Sequence, residues 1–229
     1  MKTTDIYNEI LYHFADQNDD LRQWMKSPFN SGDKTFATDG KRLVAVPQIE
    51  GFEDQSSKIK GIYPMLSSMD FIIPVIELKD KLSNFPMVDS FDETEDENEC
   101  SACDGTGEIE LAFYHNSKSY NIPATCPVCD GDGLVNQTKR ISNGKKEIDK
   151  TKFFQIGVCF FTPKSIEEVI FIAEKIEAES VNIVSQIGDT SPNLFKIKEV
   201  ELIVMPTTPP NVSDIAQKID LKNGKETTN

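Results

Sequence analysis

Four cysteines stand in two matching units, Cys100-Ser-Ala-Cys103-Asp-Gly105-Thr-Gly107 and Cys126-Pro-Val-Cys129-Asp-Gly131-Asp-Gly133, both of the form CxxCxGxG. Two residues between thiols let both sulfurs face one ion from a single tight knuckle. A second knuckle completes a tetrahedral shell. After each knuckle the chain must turn back, and glycine does so without a Cβ clash. The spacing therefore points to one structural Zn²⁺ ion held by Cys100, Cys103, Cys126 and Cys129. Two disulfides and a redox-active CxxC pair are the other chemistries it admits. Zinc is favoured because paired CxxC units in a chain without secretory features suggest metal rather than a disulfide framework. Cys159 stands alone in the apolar run Phe153–Phe161 and reads as a small buried group.

Other chemistry has little to work with. The two histidines are His13, on an expected helix, and His115, near an expected hairpin tip; neither is placed as a ligand. There is no phosphate-binding glycine loop, no HExxH and no GxSxG, and no catalytic residue is assigned. Seven of the eleven residues from Asp89 to Glu99 are acidic. Such a run repels itself and is expected to be a mobile, solvated connector rather than a cation site. A basic stretch follows the cysteines. Its Lys139, Arg140, Lys145 and Lys146 are the candidate nucleic-acid contacts, although a solvated return linker is the expected role because no aromatics are interleaved.

The elements that must position these residues follow from periodicity. Residues 4–15 read as a helix with Ile6, Tyr7, Ile10, Leu11 and Phe14 as its buried stripe. Strands are expected at Leu21–Lys26, Thr35–Pro47 with a turn at Asp39-Gly40, and Ile72–Leu78. Residues 48–61 read as polar linker. Between the cysteine units, Glu108–Tyr114 and Ser119–Ala124 alternate around Asn116-Ser117-Lys118, which is a hairpin signal. After a strand at Phe153–Phe161, Ser165 with Glu168 suggests a capping box for a helix reaching Ala178. Strands are then expected near Val181–Ser185, Leu194–Lys198 and Val200–Met205. The organisation is a discontinuous α+β domain over 1–87 and 151–206. Residues 88–150 carry the acidic arm, the zinc hairpin and the basic arm. A polar tail covers 207–229.

The charge is −14, from 24 Lys and Arg against 38 Asp and Glu. That excess argues against a general nucleic-acid binder. The N-terminal MKTTDIYNEILYHF lacks the apolar run of a signal peptide, and no stretch approaches the ~20 apolar residues of a membrane span. A soluble, cytoplasmic protein with no membrane partner is expected.

Two resemblances extend this reading. The CxxCxGxG units resemble the cysteine-rich region of DnaJ-type co-chaperones, which carries four such repeats and two zinc ions. Here there are two repeats, implying one zinc, and no His-Pro-Asp tripeptide of a J domain occurs. Separately, Ala37-Thr38-Asp39-Gly40-Lys41-Arg42-Leu43 is similar to the ATDGHRLA motif of bacterial DNA polymerase sliding clamps. Ser191-Pro192 and Leu202-Ile203-Val204-Met205-Pro206 look like that family's closing strands. Tyr63-Pro64 and Ile73-Pro74 are similar to the segment that opens the last clamp domain. The resemblance implies clamp-like βαβββ units with an inserted zinc-binding β-hairpin, and a replication-associated role, with a phage source as one setting. Clamp helices need cations against phosphate, whereas the first helix here is expected to expose Asp5, Glu9 and Asp16. The second is expected to expose Glu167, Glu168, Glu174, Glu177 and Glu179. Encirclement of DNA is disfavoured on that ground.

Three functions remain open on the sequence. The first is a non-enzymatic interaction protein presenting the hairpin to a protein partner. The others are a nucleic-acid binder using the hairpin with Lys139–Lys152, and a DnaJ-like substrate module or CxxC thiol oxidoreductase.

Overall fold

The computed structural model describes residues 2–59, 71–186, 188–208, 211–219 and 221, without the side chain of Gln137. In chain order the elements are α1 (Thr3–Phe14), β1 (Phe29–Ser31), β2 (Lys34–Thr38), β3 (Arg42–Pro47), β4 (Phe71–Pro74) and α2 (Val75–Ser83). Then follow β5 (Met87–Glu99), β6 (Glu108–His115), β7 (Lys118–Thr125) and β8 (Leu134–Ile148). Last come β9 (Phe153–Ile156), β10 (Cys159–Phe161), α3 (Pro163–Lys175), β11 (Ser180–Ser185), β12 (Asn193–Ile197), β13 (Val200–Val204) and β14 (Ile215–Ile219). Two compact units result: Met1–Pro86 with Ile148–Asn229, and Met87–Glu147.

The first unit is built on a seven-stranded sheet in the order β1-β2-β3-β13-β12-β11-β4, antiparallel throughout. Helix α1 leads into β1–β3 and helix α3 into β11–β13. The two helix-plus-three-strand halves meet at the β3–β13 pair, so the connectivity mirrors itself about the sheet centre. Strand side chains alternate between faces. Val44 and Val46 of β3 and Leu202 and Val204 of β13 therefore join the core with Tyr7, Ile10, Leu11 and Phe14 of α1 and Ile166, Val169, Ile172 and Ala173 of α3. Leu43, Ala45 and Ile203 face the other way, into a smaller cluster with Phe29, Phe36 and Leu194 that Trp24 flanks. β9, β10 and β14 form a separate three-stranded sheet.

Several expectations are corrected here, each by a local interaction. Leu21–Lys26 is not a strand, because the Asp19 side chain draws the backbone into a local turn instead. Its carboxylate accepts from the backbone N–H of Leu21 at 3.0 Å and of Arg22 at 2.7 Å, and a short 3₁₀ turn, Gln23–Met25, follows. The strand expected at 72–78 stops at Pro74, whose φ of −61° caps α2; Val75 and Leu78 then bury at helical spacing. The proline ring fixes that angle. The Phe153–Phe161 strand folds on itself at Gly157 (φ 57°), pairing Ile156 with Cys159. Helix α3 begins earlier than expected: Thr162 is the N-cap, with Pro163 in the first turn, and Ser165 donates its N–H to Thr162. Glu168, expected on the exposed face, is 2% exposed.

The acidic arm is not a solvated connector but strand β5, paired with β8 in a two-stranded ribbon. Ion pairs Asp96–Lys139 at 2.6 Å, Glu93–Arg140 at 3.0 Å and Asp89–Lys146 at 2.7 Å cross the ribbon in reversed order, so the strands run antiparallel. Within the expected tail, β14 runs parallel to β9 and buries Ile219. Tyr63-Pro64 lies outside the described residues, as does the end of the tail. Ile73-Pro74 closes β4.

Candidate metal centre and the flanking cleft

Each knuckle is a tight turn whose bonds are fixed by its own sequence. In the first, Cys103 and Gly105 donate N–H to the Cys100 carbonyl, and Thr106 donates to that of Cys103. Asp104 and Asp130 hold matching φ angles of 50° and 51° in the two knuckles. The knuckles then lock together reciprocally: Cys100 N–H donates to the Gly133 carbonyl at 2.8 Å, and Cys126 N–H to that of Gly107 at 2.9 Å. Gly107 and Gly133 have no alternative. A Cβ on Gly107 would lie 2.2 Å from the Gly131 oxygen, and one on Gly133 would lie 2.3 Å from the Gly105 oxygen.

This arrangement gathers all four sulfurs within 4.8 Å of one another. Cys100 and Cys126 are fully buried, and Cys103 and Cys129 are 7% exposed. Cys100 Sγ lies 3.8 Å from Cys126 Sγ, and Cys103 Sγ lies 3.7 Å from Cys129 Sγ. A tetrahedral thiolate shell at a Zn–S distance of about 2.3 Å requires sulfurs roughly 3.8 Å apart. The donor set and its spacing fit that ion, and the sulfur separations are far from the roughly 2 Å of a disulfide. Ligating thiolates are oriented and tuned by outer-shell hydrogen-bond donors. Such donors are present: Gly107 N–H points to Cys103 Sγ at 3.2 Å and Gly133 N–H to Cys129 Sγ at 3.3 Å. Ile109 and Val135 close the apolar shell.

From the knuckles rises the hairpin β6–β7, in register from Glu108–Thr125 to His115–Lys118. Asn116 and Ser117, with φ of 49° and 60°, form its two-residue turn. Positive φ at both central positions is what such hairpin turns demand. His115 sits at the tip, away from the sulfurs. Of the candidate nucleic-acid contacts, Lys139, Arg140 and Lys146 lie against carboxylates of β5. Cys159 is buried, and its thiol donates to the Gly188 carbonyl at 3.0 Å.

In the α+β unit the Ala37–Leu43 segment forms the β2–β3 turn, and its charges reach across the fold. Asp39 accepts from the backbone of Lys41 and Arg42 and pairs with the Arg42 guanidinium at 2.5 Å. Arg42 also reaches Glu168 at 2.5 Å. Glu168 further accepts from His13 at 2.5 Å and Lys164 at 2.9 Å, tying α1, the turn and α3 together. Burial opposes the charge on Glu168, but Lys164, Arg42 and His13 more than offset it and hold its carboxyl below the usual range. Periodicity alone did not reveal this network, because its members are far apart in sequence. The acidic residue of the expected capping box was its only local trace.

Two openings adjoin this turn. One, of about 300 Å³, is walled by Trp24, Met25, Leu43, Ile59, Ile203 and Met205, with Arg22 and Lys58 at its edge. The other, of about 630 Å³, lies between the turn, the start of α3 and Met205–Thr207. Lys41, Arg42 and Met205 border both, so the turn stands between the two openings.

No family model matches the sequence, and no curated protein matches it. Among solved structures the chain is similar to the DNA polymerase III β subunit of Thermotoga maritima, at 14% identity and a TM-score of 0.47 over 90% of this chain and 64% of that one. It is also similar to the DNA polymerase sliding clamp of Pseudomonas aeruginosa with ligand, at 11% identity and a TM-score of 0.43 over 89% and 64%. A putative DNA polymerase III β subunit of Eubacterium rectale matches at 13% identity and a TM-score of 0.44 over 91% and 65%. The chain thus spans less than two thirds of the length of these structures.

Proposed function

We propose that this protein is a non-catalytic, zinc-binding interaction protein: a clamp-like α+β domain that carries a zinc-stapled hairpin and docks protein partners in a replication assembly. The observation that carries the reading is the set of four buried cysteine sulfurs within 4.8 Å of one another, two pairs of them at the separation a tetrahedral shell needs, with N–H donors on two of them. The hairpin is too small to have its own core, so zinc would supply its folding energy. The replication setting rests on the Ala37–Leu43 resemblance. The cleft beside that turn supports docking, because its apolar walls and cationic edge suit an apolar, acidic segment of a partner.

DNA is the weaker partner. The net charge is −14, and Lys139, Arg140 and Lys146 are already ion-paired with β5. Thiol exchange would require a thiolate that zinc does not occupy. In the proposed role the metal is structural, and none of its ligands turns over.

The test is Cys103→Ser. It should abolish zinc binding and melt the hairpin while leaving the thermal transition of the α+β unit in place. Collapse of the whole protein with the metal would sink the picture of an appended, metal-folded module. So would retention of zinc by the variant.

A further inference from the structure

The hairpin β6–β7 carries an uncovered apolar face. Cross-strand pairs Leu111–Ile122 and Phe113–Tyr120 share that face with Ile109–Ala124. Leu111 is 52%, Phe113 46%, Tyr120 42% and Ile122 50% exposed, and the two rings stack at 5.1 Å between centroids. Alternation that clean on a two-stranded ribbon belongs to a sheet whose face is meant to be covered.

The backbone shows where a further strand fits. A two-residue turn is closed by the hydrogen-bonded pair His115–Lys118, and bonded and non-bonded pairs alternate from there. The inward-bonding pairs are therefore the apolar ones. The outward-facing N–H and C=O groups belong to Glu108, Glu110, Ala112 and Tyr114 on β6, and to Ser119, Asn121, Pro123 and Thr125 on β7. Proline has no N–H, and Pro123 lies among the outward positions, so the edge of β7 is blunted in the way natural edge strands are. β6 has no proline. One edge is guarded and the other is open.

We propose that the outer edge of β6 is a strand-docking edge that takes an extended protein segment alternating apolar and basic residues. Such a strand would add its apolar side chains beside Leu111 and Phe113 and bury their outer flanks. Its opposite side chains would lie beside Glu108 and Glu110, which sit on the back face at the outward-bonding positions, and Lys or Arg there meets opposite charge. A second copy of this chain is disfavoured as the occupant. The unit Met87–Glu147 carries thirteen acidic side chains against five basic, so two copies repel while a cationic strand is drawn in.

The inference rests on the docking role proposed above and is tested on the full-length chain with two fluorescent peptides of one composition. One alternates, Lys-Val-Lys-Val-Lys-Val-Lys; the other is blocked, Lys-Lys-Lys-Lys-Val-Val-Val. The alternating peptide should bind at least roughly tenfold more tightly than the blocked one. Ala112→Pro, which removes an outward N–H from β6 as Pro123 does on β7, should abolish that preference. Asn121→Pro on the guarded edge should leave it intact. Glu110→Lys, which leaves the backbone unchanged, should weaken the alternating peptide by roughly tenfold and serves as the second probe if Ala112→Pro loses its zinc. Equal binding of both peptides overturns the proposal, as does unchanged binding by Glu110→Lys. Self-association of the wild-type chain abolished by Ala112→Pro would also overturn it, by making a second copy the occupant. Zinc measured in the same samples separates the two levels: a zinc-free wild-type chain overturns the docking role as a whole, whereas a zinc-loaded chain without edge preference overturns only the strand-docking edge.

Discussion

A cysteine thiol is a poor metal ligand until it loses its proton, and a cluster of buried thiolates is prohibitive without a cation among them. Burial here pushes the Cys100 thiol up to about 11, while the Val128 backbone N–H draws Cys126 down to about 7. Cys100 and Cys126 thus hold their protons unequally. The four-cysteine cluster could be read from sequence because the repeated spacing of cysteine and glycine encodes the knuckle itself. Its outer shell could also be read in part: the second glycine of each unit is the one whose N–H reaches a sulfur. Gly107→Ala should therefore damage the site without touching a ligand, since its Cβ would fall 2.2 Å from the Gly131 oxygen and its φ is 76°. Zinc affinity measured by chelator competition should fall by about 10–100-fold, the usual effect of disturbing outer-shell partners. Glu168 could not be read at this scale. Its burial depends on Arg42 and His13, which no window of sequence places beside it.

At the scale of elements, the β11–β13 meander, the helix before it and the hairpin between the cysteine units were legible, because their period and turn residues agree with the fold that packs them. The misses have local causes at Pro74 and Gly157 and partner-dependent ones elsewhere. β5 looks unable to fold from its own charge, and only the opposite charge of β8 makes the pairing possible. Such exposed pairs contribute little to stability, so they set register more than stability. The Asp19 turn and β14 likewise depend on partners that their own hydrophobic pattern does not announce. The Glu168 network is the element-level contact most exposed to test. Glu168→Gln would leave Arg42 with Asp39 as its remaining carboxylate partner, and weakening hydrogen bonds to charged groups costs about 2 kcal/mol. The α+β unit should then melt lower by roughly 5 °C at neutral pH. The sign with pH follows from the lowered carboxyl. Its stabilisation is present above the unfolded carboxylate value of about 4.3 and is lost as pH falls through the lower folded value. Acid titration of the wild type should show that loss, and the Gln variant should lack that component.

For the whole molecule, the two units are built on different kinds of core. The α+β unit has a mirrored, antiparallel sheet and a cleft beside the Lys41–Arg42 turn. The other unit has almost no core beyond its cysteines, and its four sulfurs take the place that apolar packing fills elsewhere. Among the described residues no helix is long and apolar enough to cross a membrane. The acidic balance, with a pI near 4.6, opposes contact with phosphate backbones. The proposed zinc-stapled role and the strand-docking edge both depend on metal at the four cysteines, so the most direct measurement is the metal content of the purified full-length chain. Elemental analysis should find one zinc per chain, with the four knuckle thiols unreactive toward a mild thiol reagent until a chelator or acid removes the ion. A chain that is folded, free of zinc and open to thiol reagent at all four positions would contradict it.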